Sequence, residues 1–122
     1  MKKNELIYLA SPYSHANYSV MSERFRAVCS AASRLMRDGY NIFSPIAHTH
    51  PIALAGGLPT DFDYWQKYDE LILSRCDRLV VLMLDGWEES NGIAMEIEIA
   101  KRIGIPVEYI NADTLEVKQV DD

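Results

Sequence analysis

Several features that would narrow a function at once are scarce or missing. The 122 residues include 2 cysteines, Cys29 and Cys76. They form no C-x-x-C, and each falls on an apolar helical stripe. This excludes a disulfide framework and reads as two buried thiols in a reducing compartment. No run of Lys or Arg occurs. With 12 basic against 18 acidic residues the net charge is −6, which argues against a nucleic-acid polymer as partner and leaves room for a small anionic ligand held by local donors. Long apolar runs are also lacking. The one after MKKNE is only LIYLA, too short for a signal peptide or a membrane span, so a cytoplasmic protein with no membrane partner is expected.

What is present describes a globular chain. It is 48% hydrophobic and 25% charged, enough for a single domain over 1–122 with its own core. Along it the hydrophobic period switches repeatedly between strand and helix. LIYLA (6–10) reads as a short buried strand ended by Ser11 and Pro12. From Ser19 to Asp38, apolar residues at 25, 28, 29, 32, 35 and 36 follow the i, i+3, i+4, i+7 rule, and Gly39 supplies a stop. YNIFSP (40–45) is a second strand. HTHPIALAGGLPT (48–60), rich in Pro and Gly, reads as a long loop of the kind that carries function. A helix over Phe62–Arg75, the strand DRLVVLML, the loop DGWEESNG, a helix containing GIAMEIEIAKR and the strand IPVEYI follow. The tail from Asn111 to Asp122 is a candidate edge strand.

Strands alternating with helices predict parallel pairing, because parallel strands need crossover connections. The expected fold class is α/β, a doubly wound, flavodoxin- or Rossmann-like three-layer fold with a mainly parallel sheet of four or five strands. Ligands in such sheets bind beyond the carboxyl ends of the strands. The segments leaving those ends are SPYSH, SPIAHTH and DGWEESNG, all polar.

Two carboxylates stand where helices should be apolar. At about 100° per residue, Glu96 and Glu98 point to nearly opposite sides of their helix. Glu98 shares a wet face with Asn91, Lys101 and Arg102 and is placed to pair with Arg102. Glu96 projects among Ile93, Ile97, Ala100 and Ile103, at the centre of the core-facing stripe. The helix over 62–76 repeats the pattern. Phe62, Trp65, Ile72, Leu73 and Cys76 make its stripe with Asp69 at the centre, while Leu71 stands unexplained on the wet side. Buried carboxylates are costly unless they cap, pair or react. Either each acid caps a neighbouring helix or meets a buried Arg, or the two share a cleft. A shared cleft is the minimum for glycosidic chemistry, with one acid on the oxocarbenium-like carbon and the other on the leaving group's proton.

YLASPYS (8–14), the aspartate of KYDELILSRCDRLVV and ESNGIAMEIEIA together resemble the nucleoside 2-deoxyribosyltransferase superfamily, closest in motif to its 2′-deoxynucleoside 5′-phosphate N-hydrolases. The resemblance runs to about Ile110, and its most specific piece is the order Ser90, Gly92, Glu96. It implies that Glu96 is the nucleophile on C1′, that Tyr8 hydrogen-bonds and orients it, and that Asp69 serves protonation of the departing base. Many relatives have a Gly-rich first loop; here it reads Ala10, Ser11, Pro12, Tyr13, and Pro12 removes a backbone donor. Ser11, Tyr13 through ring stacking and Ser14 through its hydroxyl are the expected substrate contacts there. Transferases acting on free nucleosides typically carry an aspartate six residues before the nucleophile. Serine at that position, Ser90, donates a hydrogen bond at a helix start where an anion is favoured, so with Ser11 or Ser14 it makes a phosphate site containing no Lys or Arg. Capping by Ser90 is compatible with that role.

His48 and His50 form H-x-H without a third ligand at fixed spacing, and read as polar loop residues near the cleft mouth. Trp87 reads as a shield for the sheet end and Trp65 as core. The expected activity is cleavage of the N-glycosidic bond of (deoxy)nucleoside 5′-monophosphates with release of free base, needing no metal or cofactor. The alternatives are base exchange on free nucleosides and a nucleotide-sensing module without turnover. A homodimer or higher homo-oligomer is expected, because relatives place their sites near subunit interfaces.

Overall fold

The two strands with the longest buried apolar runs form the middle of the sheet. In a computed structural model, which describes residues 1–120, β1 (Leu6–Ala10) and β3 (Arg78–Met83) are buried over almost their whole length. Continuous apolar runs suit strands covered on both faces. β2 (Asn41–Phe43) pairs with β1, and β4 (Val107–Asn111) with β3, all parallel. β5 (Val117–Lys118) closes the order β2-β1-β3-β4-β5 antiparallel to β4, so the tail does supply an edge strand. Residues 121 and 122 of that tail lie outside the described residues.

Four helices cover the sheet among the described residues: α1 (Tyr18–Arg37), α2 (Pro45–Gly56), α3 (Phe62–Leu73) and α4 (Asn91–Ile103). The period of two sorts each strand. Ile7 and Leu9, with Val80, Leu82 and Ile110, pack on Val28, Ala31, Ala32 and Leu35 of α1. Tyr8 and Ala10, with Leu79 and Val81, face Leu73 of α3 and Ile93, Ile99 and Ala100 of α4. Alternation along β1 therefore sends Tyr8 to the α3/α4 side. The doubly wound three-layer architecture is as predicted. The charged network of Arg78 with Glu5 (2.9 Å) and Glu108 (2.8 Å) sits at the start of the strands, away from their carboxyl ends.

Residues 48–60 depart from expectation. They are not a long loop, because α2 begins directly after β2 and contains both histidines. Ser44 caps it by accepting the Ala47 N–H at 3.1 Å, and Pro45 occupies the first turn, where no N–H is needed. Pro51 lies inside the helix, and Gly57, left-handed at φ +64°, ends it. The helix escapes periodicity because its apolar residues run all round: Ile52 and Leu54 are exposed while Thr49 and His50 are buried. Three smaller corrections concern packing. Met36 and Ile103, placed on buried stripes by sequence, are exposed, and Cys29 is only partly buried.

Candidate functional site

The sheet's order reverses at β1, whose neighbours lead into opposite halves of the chain. Beyond its carboxyl end a cavity of about 690 Å³ opens among the β1–α1 loop, α2, α3 and the first turns of α4. Its walls include Ser11, Tyr13, Ser14, Asp69, Ser90, Gly92 and Glu96, so seven of the sequence-derived residues meet in one place. Tyr8 lies behind the wall, fully buried.

Glu96 is 5% exposed, and its Oε2 accepts a hydrogen bond from the Tyr8 hydroxyl at 2.5 Å. Burial pushes its carboxyl up to about 8; the Tyr8 bond works against that rise and the charge of Asp69 adds to it. Tyr8 itself is lifted well above the ordinary phenol range, by burial first and then by Glu96 and Asp69. Asp69 is 6% exposed and pushed up to about 7 by burial. Its Oδ1 and the Ser11 Oγ are buried in the cavity wall without a hydrogen-bond partner. An unsatisfied buried polar atom costs about 1–3 kcal/mol. Among the described residues neither acid caps a helix or meets an arginine. Glu98 points to solvent as the helical phase required, but Arg102 pairs with Glu70 of α3 instead of with it.

The flanking groups are held by backbone. Ser90 caps α4 through its Oγ, which accepts the Ile93 N–H at 3.2 Å and keeps its own hydrogen to donate. A Cβ on Gly92 would stand 3.3 Å from the Phe62 ring, so glycine lets α3 and α4 approach closely. Ser14 donates to the Thr60 carbonyl at 2.9 Å. Tyr13 lines the cavity from a nearly buried position. Its ring is only 8% exposed and its hydroxyl lies 2.5 Å from His50 Nδ1, which leaves little of the ring for a base to stack on. His50 is buried against Phe25, ring centroids 4.1 Å apart, and burial lowers its pKa. His48 is exposed and stacks on Tyr68. Among the described residues no group of three His, Cys, Asp or Glu is placed to hold a metal.

One charged wall residue was missed in the sequence and one aromatic was misplaced. Arg24 of α1 lines the same cavity, a basic side chain not included in the anion site expected from Ser90 with Ser11 or Ser14. Its Nη1 donates to the Tyr13 and Ser14 carbonyls (3.4 and 3.2 Å) and its Nη2 to the Asp85 carbonyl (3.3 Å), tying the loops after β1 and β3 together. Gly86, at φ +90°, passes so close to Nη2 that a Cβ there would collide with it. The signal existed: Arg24 stands three residues after Met21 and four before Val28, both buried. Trp65, read as core, is partly buried and lines the cavity instead. Trp87 packs on Tyr109 at 5.6 Å, at the sheet end.

A family model described as a domain of unknown function (DUF1937) matches residues 5–112, and the chain belongs to that family. No curated protein matches it.

Proposed function

We propose that this member of the DUF1937 family cleaves the N-glycosidic bond of (deoxy)nucleoside 5′-monophosphates, with Glu96 as nucleophile and Asp69 as the acid on the base. The observation that carries this reading is a buried carboxylate oriented by a phenol, Tyr8–Glu96 at 2.5 Å, in the same cavity as a second carboxyl with an unpartnered oxygen. The motif resemblance to the 2′-deoxynucleoside 5′-phosphate N-hydrolases of the nucleoside 2-deoxyribosyltransferase superfamily supports the same assignment.

In the proposed reaction Glu96 attacks C1′ as the bond from C1′ to the base nitrogen breaks. The bonding electrons leave with the base, which takes the Asp69 proton. The resulting glycosyl ester is opened by water, whose proton returns to Asp69, releasing sugar phosphate and Glu96. Tyr8 holds the Glu96 oxygen in line through both steps. Burial keeps at least one proton on the carboxyl pair near neutrality, the state in which one member is an acid and the other a base. Ionising Glu96 rather than Asp69 costs about 1.4 kcal/mol per tenfold difference in acidity. The phosphate is assigned to Arg24, Ser90 and the first N–H groups of α4. Asp61, Asp63 and Glu89 on the cavity wall would repel further phosphates.

A second reading is a nucleotide-binding module without turnover. What favours it is the same burial, which holds Glu96 as an uncharged acid through neutrality, and an acid is a poor nucleophile. Incubation with a mixture of nucleotides and nucleosides, read by chromatography for free base, separates the two. Base release from monophosphates is expected; tight binding with none released would establish the module instead. Base exchange on free nucleosides, faster than hydrolysis, would establish a transferase.

A further inference from the structure

A cavity that takes a nucleotide needs a flat apolar surface for the base, and its four rings, Tyr13, His15, Phe62 and Trp65, are not equivalent: His15 is exposed and accepts the Asn17 N–H through Nδ1 at 2.9 Å. Tyr13 is nearly buried, with its hydroxyl engaged by His50. Phe62 is wedged against the backbone at Gly92. Trp65 remains. Its indole N–H already donates to the Pro59 carbonyl at 2.8 Å, so the polar handle is satisfied and the ring is left to offer its face. Tyr64 and Tyr68 pack against it in T-shaped contacts, at centroid distances of 5.1 and 5.9 Å and interplanar angles of 74° and 80°. Both are exposed, and neither lines the cavity.

Position along α3 adds the chemical argument. Trp65 and Asp69 are four residues apart, on one face of the helix and both in the cavity wall. The rise between them is about 6 Å, roughly the span of a nucleobase. A base stacked on the indole would reach along the helix towards Asp69, whose Oδ1 has no hydrogen-bond partner.

We propose that Trp65 is the stacking platform of this site, the side chain that makes the cavity select a planar heterocycle and sets its leaving edge against Asp69. The inference rests on the reading above that the ligand is a nucleotide. Stacking of this kind tolerates any base, so Trp65 sets affinity for a base as such and leaves the choice among bases to polar neighbours.

The experiment uses the full chain with Trp87→Phe, which makes Trp65 the sole tryptophan, and Glu96→Gln, which prevents turnover. The four common deoxynucleoside 5′-monophosphates and base-free 2-deoxyribose 5-phosphate are titrated in turn, following fluorescence and heat. At least one nucleotide should quench Trp65 emission, and the sugar phosphate should bind without quenching. Trp65→Ala should then raise the nucleotide Kd about tenfold or more while leaving the sugar phosphate Kd unchanged, and Trp65→Phe should recover most of the loss. If the alanine variant does not fold, the phenylalanine variant and the quenching decide. Equal weakening of both ligands would reduce Trp65 to a structural role and overturn the proposal. Base release by the unmodified chain with no response at Trp65 would overturn the platform and leave the reaction standing. Quenching without base release in the unmodified chain would do the reverse. Failure of every nucleotide to bind would overturn both.

Discussion

The Tyr8 hydroxyl and the Glu96 carboxylate meet at 2.5 Å although 88 residues separate them in the chain. The pleat of β1 sends Tyr8 towards α4, and the helical phase of α4 sends Glu96 back towards β1, so two local periodicities converge on one hydrogen bond. Because burial and the neighbouring acids suppress ionisation of Tyr8, the phenol stays a donor at every working pH.

Glu96→Gln should abolish base release, whereas Glu98→Ala should change kcat/KM less than about twofold. A stability effect accompanies the first. Glu96 binds its proton more tightly folded than unfolded, so the wild type is penalised progressively as pH rises from the ordinary carboxylate range through about 8. Melting curves should show the glutamine variant near wild type at pH 5 and more stable at pH 8.5, by on the order of 3 kcal/mol. Equal loss of activity in both variants would break the helical phase on which the nucleophile rests.

The pH profile should be bell-shaped with its optimum between about 7 and 8, set by the two coupled carboxyls. Tyr8→Phe removes the one interaction that lowers the Glu96 pKa. Because Glu96 titrates above Asp69, it sets the alkaline limb, which should therefore move to higher pH, with kcat at the optimum reduced about ten- to a hundredfold. An unmoved limb in the pH–rate data would show that Tyr8 only fills space.

Asp69→Asn tests proton delivery through the leaving group. An activated glycoside, whose leaving group needs no proton, should lose less than about tenfold, while a natural nucleotide should lose about a hundredfold or more. Comparable losses measured on the two substrates would mark Asp69 as structural.

The proposed phosphate site rests on Arg24 and Ser90. Arg24→Leu should lower kcat/KM for the 5′-monophosphate by about a hundredfold and for the matching nucleoside by less than about fivefold. Ser90→Asp keeps a helix cap while setting like charge against the phosphate, and should narrow or reverse the preference. If the unmodified protein treats both substrates alike, the phosphate assignment falls while the roles of Glu96 and Asp69 stand.

Assembly is expected from the surface of α2 and α3. Ile52 and Leu54 on the one, Tyr64, Tyr68 and Leu71 on the other, are exposed apolar side chains, Leu71 by 56%. Light scattering should report at least a dimer, and Leu71→Lys should weaken it if that face is the contact. A fully active monomer would refute the expectation.

Local periodicity in the sequence by itself determined the layer architecture, the parallel sheet and the inward phase of Glu96 and Asp69, because strand and helix periods dictate which side chains share a face. It was blind to α2, whose apolar residues surround the helix and whose prolines imitate a loop. It misplaced Trp65 and overlooked Arg24 for a related reason: a helical wheel says that a residue points inward, but a cavity wall and a packed core look the same to it. Only the tertiary structure decided that. The sheet's switch point leaves a gap beyond β1 that no side chain fills, and α1, α3 and α4 turn Arg24, Trp65 and Glu96 into it together. The pairing of Tyr13 with His50 was equally illegible, since a contact between a loop and a helix packed across the chain leaves no period to read.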